Sequence, residues 1–318
     1  MKTLKRAQLE AWAKDLSLYL YESDERRTYS KRWALSEAYE NHVITFDTLR
    51  DVQEFLGERS AILGILRKSA KPVTKPAKRA RKVKQITSGI IYEGPSAIDG
   101  SPIVVIATLG SKNSKTGDML QTWIMRADMR ANDAAQTGED YSVCGNCPHR
   151  GIVLNGKNVK RTCYVRTWQA PRSISEKYLR GGYPVIDASE IGKGRAVRLG
   201  SYGDPAAVPV HVWQALVSES TSHTGYTHQW REAFASSLQG LCMASADSEA
   251  EAQQARALGW RTFRVSERAL VNPVKGDEIT CPASKEAGQK TTCASCGLCA
   301  GSMADKRRTI PSITIAMH

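Results

Sequence analysis

The sequence predicts an α/β protein: a complete or partial parallel β/α barrel with two cysteine-rich metal sites, preceded by a small helical N-terminal unit. Two observations carry this prediction. From about residue 87, short apolar segments rich in β-branched residues alternate with amphipathic helical segments, a pattern typical of parallel strands joined by right-handed crossovers. Seven of the eight cysteines also fall into two groups with the spacing of metal ligands. A doubly wound sheet is the alternative architecture.

Residues 1–66 form the predicted helical unit. The spacing of Leu9, Trp12 and Leu16 indicates a first helix that runs on to Tyr19, and the segment from Trp33 to Tyr39 indicates a second. A third helix is expected over residues 49–66. Such a unit is compatible with DNA binding and with binding a host or phage protein, because helix number alone specifies no partner.

Residues 67–86 form a predicted flexible linker with a strong positive charge. Of the net charge of +13, nine positive charges lie from Arg67 to Lys84 without any acidic residue, which leaves +4 for the rest of the chain. We expect this segment to bind the phosphates of nucleic acid, with a solubilising tether or localisation signal as the alternative. The expected contact residues are Lys75, Lys78, Arg79, Arg81, Lys82 and Lys84.

Residues 87–318 form the predicted α/β metal-binding domain. Strands are expected over residues 103–108, 122–125, 196–200, 224–227, 241–245, 260–265 and 313–316, and helices over residues 208–219, 230–238 and 248–258. Sites in parallel α/β architectures form at the carboxyl ends of strands. The candidate catalytic residues at these ends are Asp204, Tyr226, His228, Asp247 and His318. Helix N-capping is the structural alternative for the two aspartates.

The second cysteine group contains four thiols: Cys281, Cys293, Cys296 and Cys299. Four thiolates can close the coordination sphere of a metal. Three cysteines at this compact spacing, with a distant fourth followed by proline, favour an iron–sulfur cluster. Zinc is the alternative. The predicted role is structural, or that of an auxiliary electron-transfer cluster.

The first cysteine group, Cys144, Cys147 and Cys163, lacks an evident fourth ligand. His149 would complete a zinc site, and Cys242 is a second candidate, although its apolar surroundings favour a buried structural thiol. In the third alternative no protein group fills the position. A 4Fe–4S cluster with one open iron would then be available to chelate S-adenosylmethionine.

The expected compartment is the cytoplasm, because no apolar run has the length of a membrane span and the N-terminus is charged. In a reducing compartment, closely spaced cysteines bind metal or act in catalysis more often than they form disulfides. Disulfides are the less favoured alternative.

Several short motifs occur in the order found in a known family. They are Cys144 and Cys147 before Pro148, Cys163 with Tyr164, the segment Val197 to Leu199, Gly203 with Asp204, Tyr226 with Thr227, Ser245 with Asp247, Cys281 with Pro282, the cysteines from Cys293 to Cys299, and a closing strand that ends at His318. Over roughly residues 90–318 the chain resembles the uncharacterised bacteriophage family of gene product 88 type. The resemblance implies a phage or prophage origin, hence the host cell cytoplasm, and supplies no settled activity.

The chain is also similar, more loosely, to radical S-adenosylmethionine enzymes, which combine a β/α barrel, a three-cysteine cluster and often an auxiliary C-terminal cluster. The segment from Gly203 to Pro205 is similar in position and type to the Gly-Glu-Pro segment that meets the methionyl amino group in that superfamily. This implies Gly203 and Asp204 as cofactor-binding residues. The chain departs from the superfamily because its first three cysteines spread over 20 residues instead of forming a compact CxxxCxxC motif.

Three functions are compatible with the sequence. The first is an iron–sulfur enzyme of radical type that acts on nucleic acid or nucleotides. The second is a zinc-stabilised nucleic-acid-binding protein of phage replication or regulation, with both metal sites closed. The third is a non-catalytic scaffold whose N-terminal unit recruits a host protein.

Overall fold

The computed structural model describes residues 18–23, 32–37, 43–46, 52, 87–110, 113–266, 271–302 and 310–317. The chain divides into two units, residues 1–82 and 83–318. No helix within the described ranges is long and apolar enough to cross a membrane.

The N-terminal unit contains a three-stranded antiparallel sheet where helices were predicted. Its strands are β1 (Leu18–Ser23), β2 (Arg32–Glu37) and β3 (Val43–Phe46), in the order β1-β2-β3. The predicted second helix is therefore wrong, and so is the extension of the first helix to Tyr19. Trp33 and Leu35 are two residues apart, and this spacing also suits a strand. Leu35 pairs with Leu20 on one side and with Ile44 on the other, so the segment forms a strand and not a helix. Of the predicted third helix, only Val52 is described, and it is helical.

The first sheet of the second unit combines antiparallel and parallel strands. Its strands are β4 (Ser88–Pro95), β5 (Pro102–Thr108), β6 (Leu120–Arg126), β9 (Ala196–Tyr202) and β10 (Ser222–Thr224), in the order β10-β9-β6-β5-β4. β4, β5 and β6 pair antiparallel, whereas β6, β9 and β10 pair parallel. The connections between β4, β5 and β6 are too short for the crossover that parallel neighbours require. The side chains of Ile103 to Ala107 are fully buried, which suits the interior position of β5 between β4 and β6.

The second sheet is entirely parallel. Its strands are β11 (Tyr226–Thr227), β12 (Met243–Ala246), β13 (Thr262–Ser266), β14 (Glu278–Thr280) and β15 (Ser312–Ala316), in the order β11-β12-β13-β15-β14. Only Gly225 separates β10 from β11, so one extended segment serves as the edge of both sheets. The predicted α/β class with parallel strands is thereby confirmed.

Short helices and one hairpin fill the connections. The helices are α1 (Ala131–Thr137), α2 (Tyr141–Cys144), α3 (Ala170–Leu179), α4 (Ala188–Gly192), α5 (Val210–Val217), α6 (Glu249–Ala257) and α7 (Cys293–Cys296). The hairpin pairs β7 (Ile152–Leu154) with β8 (Lys157–Val159). Three 3₁₀ turns cover Pro148–Arg150, Pro205–Ala207 and Ala233–Leu238, the last where an α-helix over residues 230–238 was predicted.

Two hydrophobic clusters lie among the described residues of this unit. The larger contains β5, β6 and β9 together with Trp213 of α5, and Cys242 lies within it. The smaller joins Ile313 and Ile315 of β15 to Cys281 and Cys299. Two thiols of the second cysteine group therefore lie partly inside an apolar core.

A buried ion pair ties β13 to β14 across β15. The guanidinium of Arg264 donates from Nε to Oε1 of Glu278 at 2.9 Å and from Nη2 to Oε2 at 2.7 Å. Burial opposes ionisation of Glu278, but the hydrogen bonds from Arg264 and Val274, together with the charges of Arg264 and Arg256, outweigh it and hold the pKa of Glu278 below its ordinary value.

We expect Glu278→Gln to lower the free energy of unfolding by about 3 kcal/mol at neutral pH, because the buried Arg264 cation loses its counter-charge. A carboxyl group with a lowered folded-state pKa stabilises the fold above its unfolded pKa, and this contribution is lost as pH falls through the folded value. The difference between the variant and the native chain should therefore shrink in acid. Urea unfolding at several pH values measures it. Asp277→Asn, at a side chain 53% exposed, is the control and should change little.

Candidate metal centre

One cavity of about 430 Å³ brings the two cysteine groups together. All eight cysteines carry free thiols. The seven that line the cavity are Cys144, Cys147, Cys163, Cys281, Cys293, Cys296 and Cys299. Cys242 does not line it and is fully buried in the larger hydrophobic cluster. The structure therefore places Cys242 in the hydrophobic core, outside the cavity that the first cysteine group lines.

The first group sits in the long connection between β6 and β9. Cys144 is the last residue of α2, and Cys147 immediately precedes the 3₁₀ turn Pro148–Arg150. Cys163 follows β8, and its amide donates to the carbonyl of His149 at 3.0 Å. The hairpin thus returns the chain so that Cys163 lies beside the Cys144–Cys147 loop.

A buried carboxylate holds this connection in place. Asp140, whose side chain is 0% exposed, accepts hydrogen bonds from Arg150 at 2.8 Å and from Arg161 at 2.8 Å. Arg150 lies three residues after Cys147, and Arg161 lies two residues before Cys163. One carboxylate therefore anchors both arms that carry the first group.

Gln229 fixes the backbone of the same loop from the other side. Its amide nitrogen donates to the carbonyl of Cys144 at 3.1 Å, and its oxygen accepts from the amide of Asn146 at 3.0 Å. Gln229 is 1% exposed and follows β11. The carboxyl end of that strand therefore positions the Cys144–Cys147 loop.

Burial keeps the thiols of Cys144 and Cys163 protonated. Burial raises the pKa of the Cys144 thiol well above its ordinary value, and repulsion from Asp140 and Cys147 adds to the effect. Burial also raises the pKa of Cys163. The buried hydroxyl of Tyr202, close to Cys144, has no hydrogen-bond partner in the described part of the chain.

The second group is held at three points. The amide of Cys281 donates to Thr314 of β15 at 2.9 Å, and that of Cys293 donates to the carbonyl of Lys115 at 2.8 Å. The carbonyl of Cys299 accepts from the amide of Gly225 at 3.2 Å. These bonds link the group to the second sheet, to the loop before β6 and to the segment that both sheets share.

Cys299 of the second group interacts with Tyr226. Burial raises the pKa of Cys299 to about 12, partly offset by its hydrogen bond with Tyr226, while the other three thiolates of the group repel its charge. The ring of Tyr226 packs against Phe263 with centroids 4.6 Å apart. Tyr226, predicted as a substrate-pocket residue, therefore contacts the second cysteine group.

Arg198 lies on the cavity wall between the groups. Its Nη2 donates to the hydroxyl of Tyr164, next to Cys163, at 2.6 Å. Tyr164 above all, and then Tyr226 and Cys293, raise the pKa of the guanidinium by their charges, although burial opposes the shift. Its Nε is buried without a hydrogen-bond partner, and within the described ranges Arg198 forms no ion pair with a carboxylate. A half-buried cation with a buried, unpartnered Nε suits an anionic ligand.

Asp204 and Gly203 line the cavity at the end of β9. Asp204 caps the turn Pro205–Ala207: its Oδ1 accepts from the amide of Ala206 at 2.9 Å, and its Oδ2 accepts from that of His228 at 2.8 Å. Burial raises the pKa of Asp204, although these backbone hydrogen bonds oppose the shift. The capping alternative is thus realised. A carboxylate has about four acceptor sites, so the cofactor-binding role stays a prediction.

Three further polar residues meet on this wall. His149 Nε2 lies 3.0 Å from Oδ1 of Asp247, and His228 Nε2 lies 3.5 Å from Oδ2 of Asp247. Burial opposes the charge of His228, but interaction with Asp247 and Cys147 outweighs it and raises its pKa to about 10. The two imidazoles hold the pKa of Asp247 below its ordinary value, although burial opposes this.

The remaining candidates lie outside the described residues. His318 is one of them, and so are all six basic residues of the linker. The roles predicted for these residues stay predictions.

The polar atoms on the cavity wall that lack a hydrogen-bond partner favour a bound group. Eight buried side-chain atoms in the described part of the chain have no hydrogen-bond partner, and half of them belong to cavity-lining residues. Those four are Arg198 Nε, Tyr202 Oη, His228 Nε2 and Asp247 Oδ2. Buried polar atoms are costly unless paired, so their concentration here indicates a polar or charged occupant.

The spacing of the sulphur atoms bears on which metal would fit. Four sulphurs around one zinc ion lie about 3.8 Å apart, because each Zn–S bond is about 2.3 Å long and the geometry is tetrahedral. Among the seven cavity cysteines, all of them within the described ranges, no three sulphur atoms lie within 4.8 Å of one another. The thiols are therefore not arranged as the ligand set of a single zinc ion.

Comparison of the chain with protein-family models, with curated proteins and with solved structures finds no match. The resemblances to the bacteriophage family and to radical S-adenosylmethionine enzymes therefore stay expectations.

Sequence reasoning missed the residues that position the site, Asp140, Gln229 and Arg198. No local signal marks them. Gln229 and Cys144 are 85 residues apart in the sequence, so their contact follows only from the fold. The one local hint was a basic residue, Arg161, two residues before Cys163.

We expect Asp140→Asn to weaken metal retention by the first cysteine group and leave the second group unchanged. The substitution removes the charge that holds Arg150 and Arg161. Loss of such a supporting contact typically costs 10–100-fold in metal affinity. Competition with a chelator, followed by metal analysis, measures the affinity. Asp133→Asn, at an exposed pair with Arg130, is the matched control. Equal loss from both groups in Asp140→Asn would indicate general unfolding and contradict this role.

Proposed function

We propose that this chain is an iron–sulfur protein of radical-enzyme type that acts on a nucleotide or on nucleic acid. The observation that carries the proposal is that both cysteine groups open onto one cavity. A purely structural metal site is closed and needs no cavity. Two groups that share one, with unpartnered polar atoms on its wall, favour chemistry in the space between them.

The first group is proposed to hold a 4Fe–4S cluster through Cys144, Cys147 and Cys163, with its fourth iron open to the cavity. His149 Nε2 faces Asp247 at 3.0 Å, and Nδ1 contacts Thr162 Oγ1 at 2.8 Å. Cys242 lies in the core. Neither candidate fourth ligand therefore competes well for the open position.

The second group is proposed to hold an auxiliary cluster through Cys281, Cys293, Cys296 and Cys299. When bound, iron–sulfur clusters supply single electrons to a neighbouring molecule. Arg198 and Lys115 line the cavity and present positive charge there. The phosphate of a nucleotide would satisfy the unpartnered Nε of Arg198. Gly203 and Asp204 would border bound S-adenosylmethionine.

The proposal also concerns how the two sheets of the second unit are joined. Strand pairing runs without interruption from β4 through β10 and β11 to β14, because β10 and β11 are parts of one segment. We propose that this continuous sheet is a partial β/α barrel, with the cysteine groups at the carboxyl ends of its parallel strands.

Anaerobic reconstitution with iron and sulfide tests the cluster assignment. We expect a brown protein with about eight iron atoms per chain, the content of two 4Fe–4S clusters. Cys163→Ser and Cys281→Ser should each lose about half of the iron. Cys242→Ala is the matched control and should keep all of it. His149→Ala should also retain the first cluster, because the fourth iron position is proposed to be open. A colourless protein with two zinc ions, one of them released by His149→Ala, would support the zinc-stabilised binding protein instead.

Nucleic-acid association is proposed to come from the basic linker. We expect glutamine substitution of Lys75, Lys78, Arg79, Arg81, Lys82 and Lys84 to weaken DNA binding. Each lost phosphate contact lowers the slope of log affinity against log salt by about 0.9 on double-stranded DNA. Fluorescence anisotropy at several salt concentrations measures this slope. Substitution of six lysines and arginines elsewhere on the chain gives the charge-matched control. An unchanged slope in the linker variant would contradict the role and leave the tether alternative.

A further inference from the structure

His149, His228 and Asp247 form a compact set of ligand atoms on the cavity wall. One atom from each of the three side chains lies within 4.8 Å of the others, a set unique among the described residues. The two imidazole rings are 5.6 Å apart between centroids and lie at 72° to each other. Both rings therefore turn a nitrogen toward the same carboxylate.

Three separate elements supply these side chains. His149 comes from the 3₁₀ turn Pro148–Arg150, directly after the first two cysteines. His228 follows β11, and Asp247 follows the neighbouring parallel strand β12. The carboxyl ends of two adjacent strands thus present two ligands, and the cysteine loop brings the third over them.

The distances match those between ligands of one metal ion. Ligands about 2.1 Å from an ion lie about 3.0 Å apart at right angles and about 3.4 Å apart in a tetrahedron. The observed separations are 3.0 Å from His149 Nε2 to Oδ1 of Asp247 and 3.5 Å from His228 Nε2 to Oδ2, so each imidazole faces a different oxygen of the carboxylate. Two imidazoles with one carboxylate are also the donor set that binds Fe(II) and related ions with open positions.

The contacts around the three residues agree with such a site. Nδ1 of His149 pairs with Thr162 Oγ1 at 2.8 Å, which fixes the ring with Nε2 toward the cavity. Glu251 accepts from the backbone amide of Asp247 at 2.8 Å and steadies that segment. His228 Nε2 and Asp247 Oδ2 are both buried without a hydrogen-bond partner in the described part of the chain. Hydrogen bonding within the set therefore leaves two atoms unsatisfied, and an ion between them would satisfy both.

We propose that His149, His228 and Asp247 bind one divalent transition-metal ion on the cavity wall, separate from the metal that the cysteines hold. The remaining coordination positions face the cavity, where they are open to water or to the phosphate or carboxylate of a ligand. The site does not depend on whether the cysteines bind iron–sulfur clusters or zinc.

Titration of the metal-free, reduced full-length chain with Co(II) tests this site. Cobalt bound by thiolates gives intense charge-transfer absorption, whereas cobalt bound by imidazole and carboxylate gives only weak ligand-field bands, so one titration counts both kinds. We expect Asp247→Asn and His149→Gln each to bind one cobalt ion fewer than the native chain, with the thiolate absorption unchanged. Asp133→Asn should bind the full number.

The outcomes separate the proposal from its alternatives. Unchanged thiolate absorption also reports that each variant still folds around its cysteines. If both variants bind as many cobalt ions as the native chain, the three residues form only a hydrogen-bonded set and the proposal is wrong. If they lose the ion together with part of the thiolate absorption, the residues belong to the first cysteine site, which equally overturns a separate one.

Discussion

The site depends on one extended segment that passes from the first sheet to the second at Gly225. Residues before Gly225 pair with β9, and residues after it pair with β12. A side chain at Gly225 would meet Cys242 Sγ at 2.7 Å, and the amide of Gly225 donates to the carbonyl of Cys299. Only glycine allows the core on one side and the second cysteine group on the other to approach so closely. Because β9, the shared segment and β12 run parallel, Asp204, His228 and Asp247 emerge at the same edge.

Much of this edge could be predicted from the sequence, because strand and helix periods are local. The helix expected over residues 248–258 is α6, with the Ser248 hydroxyl accepting from the amide of Glu251 at its start. The antiparallel strands of the first sheet were not foreseen as antiparallel, since apolar runs such as that of β5 carry no sign of direction. The N-terminal sheet was missed for a related reason. A short amphipathic segment can fit both the helical and the strand period. Whether it forms a helix or a strand depends on the strand with which it can pair.

The meeting of the two cysteine groups could not be predicted. Spacing within each group is a local property, but the groups occupy connections more than a hundred residues apart in the sequence. Their common cavity follows from the order of strands in the two sheets. The same limit applies to Asp140 and Gln229. Asp140 acquires its role only when the side chain of Arg161 reaches it, and Gln229 only when the backbone of Cys144 does.

Burial and the proposed metal would act in opposite directions on the thiols that line the cavity. A thiol must lose its proton to bind metal, and burial raises the pKa of Cys144 and Cys299, so an empty site holds neutral thiols. In that state the guanidinium of Arg198 has no anionic partner among the described residues. Metal binding would create thiolates beside Arg198, and the Coulomb attraction would then favour the loaded form. If the cysteines bind metal as proposed, the second unit would therefore be more stable with the metal bound than without it.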